Sequence, residues 1–167
     1  MTNPICLGID PGYDRLGWAI ASQDHKQWSM VKCGCIQTDK NHDLFSRYQQ
    51  LSSELQLVIQ EYQPTEAAIE SLFFFKNKKT ALKVSESRGV VINVLLQHQL
   101  AITEYTPLQI KEAVTGYGRA DKRAVKKMLC HEFGKFAESI NDDALDALGV
   151  ILTHYIRSAN SKIQLIK

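Results

Sequence analysis

Apolar and polar positions follow two rhythms along this chain. Ile5 to Ile9 is a short apolar run ending at Asp10-Pro11-Gly12, a turn signal. Leu16 to Ala21 is a second short run, and Trp28 to Thr38 a third with rough alternation. Their tight spacing predicts an antiparallel meander of three strands. Between Asp43 and Tyr62 the apolar residues fall at 44, 45, 48, 51, 55, 58 and 59, a helical period that Pro64 closes. Ala67 to Leu72 reads as a buried strand, Lys79 to His98 as a long helix, and Leu100 to Tyr105 as a further strand. Pro107 opens a short helix through Val114, and Gly116-Tyr117-Gly118 breaks the chain before helices at Asp121–Phe133 and Asn141–Ile156. Strands that alternate with helices need parallel crossovers. The order βββ-α-β-α-β-α-α-α therefore predicts one α/β domain over 1–167. Its mixed five-stranded sheet has three antiparallel strands, then parallel ones, flanked by helices. Ala81, Ser85 and Gly89 form a stripe of small side chains on the long helix, where either the sheet or a second chain packs closely.

Composition adds little to this picture and charge adds more. A hydrophobic content of 44% in 167 residues supports a core without disulfides or metal staples. The four cysteines make no C-x-x-C pair, and no apolar run reaches bilayer length. Met1-Thr2-Asn3-Pro4 does not open a signal peptide. The expectation is a soluble, reduced, cytoplasmic protein. Net charge is only +2, but it is unevenly spread. Lys76 to Arg88 holds five basic residues against one acid, and Lys111 to Lys135 seven against three. Two basic stretches in an otherwise acidic chain suit an anionic polymer, or else mark two solvated helix faces.

Several acids occupy unusual places. Asp10 ends an apolar strand, where it either shapes the turn before Pro-Gly or serves a site. Glu70 ends another strand, in Ala67-Ala68-Ile69-Glu70-Ser71-Leu72, among apolar neighbours. A buried carboxylate is costly unless paired or bound to a metal. In Asn141-Asp142-Asp143-Ala144-Leu145-Asp146, Asn141 suits an N-cap, and Asp142 complements the helix dipole. Asp143 and Asp146 share a helical face, and Asp146 sits a turn inside an apolar helix. If strand one, strand four and the last helix meet, Asp10, Glu70, Asp143 and Asp146 converge, and four such carboxylates require cations between them. Oxygen-only ligands select Mg²⁺ or Mn²⁺, and two such ions suit phosphodiester hydrolysis. The five histidines have no metal-binding spacing, and Cys33 and Cys35 read as small strand hydrophobes, so His and Cys offer no rival site.

These residues resemble a known family. Leu7-Gly8-Ile9-Asp10-Pro11-Gly12 with Leu16-Gly17-Trp18-Ala19 is similar to the opening of RuvC-type Holliday junction resolvases. Ala68-Ile69-Glu70-Ser71-Leu72-Phe73 with Lys76-Asn77 follows, then Ala81-Leu82-Lys83 leading to Arg88-Gly89-Val90. Gln109-Ile110-Lys111 through Gly116-Tyr117-Gly118 to Asp121-Lys122, and Asp143-Ala144-Leu145-Asp146-Ala147-Leu148, complete it in order. The resemblance implies a ribonuclease-H-like fold and a homodimer that nicks two opposing strands of a branched DNA junction symmetrically. It also implies work beside a RuvA–RuvB branch-migration complex. By matching positions, Asp10, Glu70, Asp143 and Asp146 are the metal-binding acids, and Lys111 and Lys122 lie by the scissile phosphate.

Phe73 matches an aromatic that stacks on bases, and the run Phe73-Phe74-Phe75 suits either core packing or, beside Lys76, Lys78 and Lys79, stacking on unpaired bases by at least one ring. Arg88 belongs to the first basic stretch. Arg119 sits in a Gly-flanked loop suited to phosphate.

Two other enzymes share parts of the pattern. Actin-like sugar kinases have a similar first phosphate loop, but need a second lobe and loop that this chain lacks. A YqgF-like nuclease acting on RNA shares the opening, without the Phe73–Lys79 and Lys111–Lys122 blocks. A non-catalytic DNA-binding module would gain affinity by losing the acids, since carboxylates repel phosphate.

Overall fold

The structure, a computed structural model, describes residues 4–24, 27–72, 78–134 and 140–164. Among these, β1 (Ile5–Asp10), β2 (Arg15–Asp24), β3 (Gln27–Gln37), β4 (Glu66–Glu70) and β5 (Ala101–Tyr105) form one sheet in the order β3-β2-β1-β4-β5. The first three strands pair antiparallel, and β4 and β5 join parallel to β1. Five helices complete the described chain: α1 (Leu44–Tyr62), α2 (Lys78–Gln97), α3 (Pro107–Thr115), α4 (Lys122–Phe133) and α5 (Asp142–Gln164). The mixed sheet and the element order match the expectation from the hydrophobic pattern.

Several boundaries differ, and β2 runs on past Ala21 to Asp24. β4 stops at Glu70 rather than Leu72, because its partner β5 ends at Tyr105, opposite Glu70. α5 runs past Ile156 to Gln164. The apolar stripe marks where that helix is covered, while residues 157–164 hold no Gly or Pro to stop it.

Local chemistry sets the ends of the other helices. Asp43 caps α1 by accepting from the Phe45 and Ser46 amides, and Gln63 ends it in the left-handed region before Pro64. Thr106 and Gln109 form a reciprocal capping box at α3, with Pro107 in its first turn and Gly116 at φ 77 closing it. Arg47 on α1 is buried, donates to the Thr38 hydroxyl at 3.0 Å and pairs with Asp14. That pair anchors the turn that follows Asp10.

Strand alternation divides the core into two layers. Leu7, Ile9, Leu16, Ile20 and Ile69 face one way, onto Leu51 and Leu55 of α1 and Val91 and Leu95 of α2. Cys6, Ala19, Ala21 and Ala68 face the other way, onto α3, α4 and α5 through Ile110, Leu129, Leu145, Leu148 and Ile151.

The second face is built of small residues, and this positions the site. A Cβ at Gly8 would lie 2.6 Å from the Ala147 carbonyl, and one at Gly17 only 1.9 Å from that of Asp143. Only glycine lets α5 lie directly on β1 and β2 at these points. Ala144, Leu145, Ala147, Leu148, Val150 and Ile151 of α5 are almost wholly buried as a result.

The small-residue stripe of α2 does not pack on the sheet. Ser85 and Gly89 are exposed, and nothing lies within 4 Å of a Cβ placed at Gly89. Leu82 and Leu96 stand exposed on the same helix.

Candidate active site

Asp10 is the last residue of β1 and Glu70 the last of β4, and the parallel register that pairs Ile9 with Ile69 brings the two side by side. α5, pressed onto β1 through the glycine contacts, delivers Asp146 to the same place. All three carboxylates line one cavity of about 580 Å³, together with Lys111 of α3 and Lys122 of α4. Leu72, Leu108, Ile110 and Val125 supply its apolar wall.

The electrostatics show how crowded the acids are. Burial first, then the charges of Asp146 and Asp143, push the Asp10 carboxyl up to about 7. Burial and the Asp10 charge push Glu70 up to about 8, against the pull of Lys111. The two carboxyls act directly on each other, so they titrate as a pair. Burial also raises Asp146, although Lys122 opposes it from 3.2 Å. Burial lowers the Lys122 ammonium, but Asp146 and Asp142 outweigh it and leave a net rise. Two carboxyls held up near neutral pH, beside a third that is also raised, form a site that favours added positive charge. The donor set is oxygen only, and it fits a hard divalent cation.

Asp143 takes a different position. It does not line the cavity. Its carboxylate accepts from Arg15 Nε at 2.8 Å, and the Cys35 thiol lies 3.7 Å from the same oxygen. Its charge still reaches Asp10. Neither Arg15 nor Cys35 stood out in the sequence. Cys35 pairs in register with Gly17, the residue on which the Asp143 backbone rests, so the partnership follows from strand register. Asn141 caps α5 as expected, its side chain accepting from the Ala144 amide at 2.8 Å. Asp142 is largely exposed and 3.4 Å from Lys122.

The model of the family described as crossover junction endodeoxyribonuclease RuvC matches residues 6–154. The chain belongs to the RuvC family. A RuvC of Finegoldia magna is 44% identical over 153 residues, covering 91% of this chain and 93% of its own length. A RuvC of Petrotoga mobilis is 40% identical over 150 residues, covering 90% and 92%. Among solved structures, Thermus thermophilus RuvC in complex with a Holliday junction substrate superposes with a TM-score of 0.84 at 24% identity, covering 93% of this chain and 94% of that one. The arrangement is thus the ribonuclease-H-like fold of RuvC, and these matches do not favour the YqgF-like alternative.

The remaining RuvC-like positions fall in four places. Phe73, Phe74, Phe75 and Lys76 lie outside the described residues. Lys78 and Lys79 open α2. Arg119 is exposed in the loop between α3 and α4, beside the exposed Tyr117. Arg88 is turned inward instead, 17% exposed and 2.7 Å from Glu104 of β5. There it ties α2 to the sheet edge.

Proposed function

We propose that this chain resolves four-way Holliday junctions by hydrolytic nicking of two opposing strands, in recombination and repair. The observation that carries the reading is the single cavity in which Asp10, Glu70 and Asp146 meet Lys111 and Lys122. Asp10, Glu70 and Asp146 would hold divalent ions, with Asp143 joining them on release from Arg15. Two Mg²⁺ ions, or Mn²⁺ in their place, would supply Lewis-acid charge neutralisation and an activated water.

The protein's own groups do the positioning. Lys111 and Lys122 hold the scissile phosphate and offset charge that builds on its oxygens, an effect strongest where water is excluded. Gly118 lies in the cavity wall, packed closely against Leu108. Arg119 extends the positive charge along the DNA, Lys76, Lys78 and Lys79 serve as further phosphate contacts and Phe73 or Phe74 as a stacking ring by their matching positions in the family, and Arg88 acts by holding α2 in place.

Symmetric nicking needs two sites, which a twofold homodimer supplies. The open face of α2, with Leu82, Ser85, Gly89 and Leu96, suits the partner subunit. Work beside RuvA–RuvB and a cytoplasmic location complete the reading. Among the described residues no helix is long and apolar enough to cross a membrane.

The test compares a synthetic four-way junction with linear duplex of the same sequence, in Mg²⁺ and in EDTA. Paired, metal-dependent nicks confined to the junction are expected. Junction binding without cutting in either Mg²⁺ or Mn²⁺ would contradict the enzyme reading, and RNA cleavage without junction preference would revive the YqgF-like one.

A further inference from the structure

The same β1/β4 strand pair that ends in Asp10 and Glu70 begins with a second cluster of ligand-type side chains. Cys6 and Glu66 are register partners across the two strands. Both project onto the face covered by α5, whose His154 reaches them. One Sγ, one carboxylate oxygen and one imidazole nitrogen lie within 4.8 Å of one another, and His154 Nε2 is 3.3 Å from Glu66 Oε2. Cys6 is fully buried and His154 nearly so, while the Glu66 side chain keeps 30% exposure. The sequence showed no histidine spacing for this site, because its donors come from three elements far apart along the chain.

We propose that Cys6, Glu66 and His154 form a second metal site, for a borderline divalent ion of the Zn²⁺ class. The donor set decides the class. A thiolate and an imidazole select Zn²⁺ or Co²⁺ over Mg²⁺, and three protein ligands leave a fourth position for water. Tyr105 supplies the support such a histidine needs. Its hydroxyl is 3.0 Å from His154 Nδ1, and its ring is buried on β5. With Nδ1–H donating to the Tyr105 oxygen, the Nε2 lone pair points to the ion. Binding exchanges the Cys6 thiol proton for the metal and releases it to solvent, while burial and the Glu66 charge keep that thiol protonated in the absence of metal. The partly exposed edge of Glu66 is the route in.

An ion here joins β1, β4 and α5 at the end opposite the carboxylate cavity. Four residues of strand separate Cys6 from Asp10, about 13 Å. The ion therefore acts on how α5 is held and not on the phosphate. Since it binds the folded chain alone, it stabilises by mass action.

The experiment titrates Co²⁺ into the full-length Glu70→Gln protein, in which the carboxylate cavity is weakened. One equivalent should give a near-ultraviolet thiolate-to-cobalt charge-transfer band with intense visible bands of tetrahedral geometry. Zn²⁺ should abolish both, and excess Mg²⁺ should leave them intact. Cys6→Ala should remove the charge-transfer band and weaken Zn²⁺ binding by about 100-fold or more, since a direct ligand exceeds the 10–100-fold of a supporting residue. Cys35→Ser should change neither. The parent spectrum reports thiolate ligation before any cysteine is changed, so a poorly folding variant leaves the test intact. Absence of the band in that spectrum overturns the proposal. So does a band lost in Cys35→Ser and kept in Cys6→Ala, which places the ion beside Asp143.

Discussion

The two ends of the β1/β4 pair share a backbone, a sheet face and a covering helix, yet differ in their chemistry. At the carboxyl end, Asp10 and Glu70 meet Asp146 in an open cavity flanked by lysines. At the amino end, Cys6 and Glu66 meet His154 in a nearly closed interior next to Tyr105. Register makes both arrangements, because Cys6 pairs with Glu66 at one end of the ladder and Asp10 and Glu70 directly follow the paired Ile9 and Ile69 at the other. α5 touches both ends because Gly8, between them, lets it lie flat. Position on the scaffold therefore does not choose the ion. In the proposed assignments donor softness does: oxygen donors beside two lysines for a hard cation, sulfur and nitrogen for a borderline one.

Each end can be broken without the other. Asp10→Asn removes a hard-ion ligand and should lower Mg²⁺-dependent junction cleavage by about 10³-fold, the equivalent of several kcal/mol of transition-state charge stabilisation. Single-turnover rates on a labelled junction measure it, and loss of Co²⁺ binding at the Cys6 end in the same variant would show the ends are not separate. Gly8→Val should damage both together. Its side chain meets the Ala147 carbonyl and Ile151, and forcing α5 off the sheet should cost about 3 kcal/mol or more in denaturant unfolding. Lys122→Ala should slow turnover by about 100-fold, more than it weakens junction binding. An equal loss in both would move Lys122 to the surface that tracks DNA.

A pH series separates the ends in the absence of metal. Asp10 and Glu70 have folded values of about 7 and 8, above those of the unfolded chain. A raised value means the folded state holds extra protons, so the stability they contribute is full below about pH 4 and lost as pH rises through 7 to 8. In EDTA the melting temperature should fall between pH 6 and pH 8.5 by about 10 °C, from a loss of about 4 kcal/mol at about 2–4 °C per kcal/mol for a chain of this length. Asp10→Asn should flatten that slope, and an unchanged slope would deny the burial of the pair. The smallest expected effect is that of Cys6→Ala on junction cleavage in Mg²⁺, within about twofold, because strand rise sets it about 13 Å from the reacting phosphate.

Much of this was legible in the hydrophobic pattern, for a physical reason. Apolar periodicity reports which face of each element is covered, and that gave the order of elements along the chain, the mixed sheet, five helices and the strands bearing Asp10 and Glu70; the spatial order of the strands came only from the structure. Asp146 was visible as an acid on a buried helix. What periodicity cannot carry is the partner of a polar side chain. Arg15 taking Asp143, Arg88 turning to Glu104, and Cys6 finding His154 all depend on distances closed by tertiary packing. The register that joins Gly17 to Cys35 appears only once β2 and β3 are paired.

The most direct test of the central claim measures cleavage and binding together for Glu70→Gln. Glu70 is placed here as a metal-holding carboxylate, so the amide should abolish Mg²⁺-dependent nicking of a four-way junction while junction affinity stays equal to the parent's or rises. Parent-like nicking by Glu70→Gln, or loss of cutting only in step with loss of binding, would contradict the assignment of the β1/β4 carboxyl end as the catalytic centre.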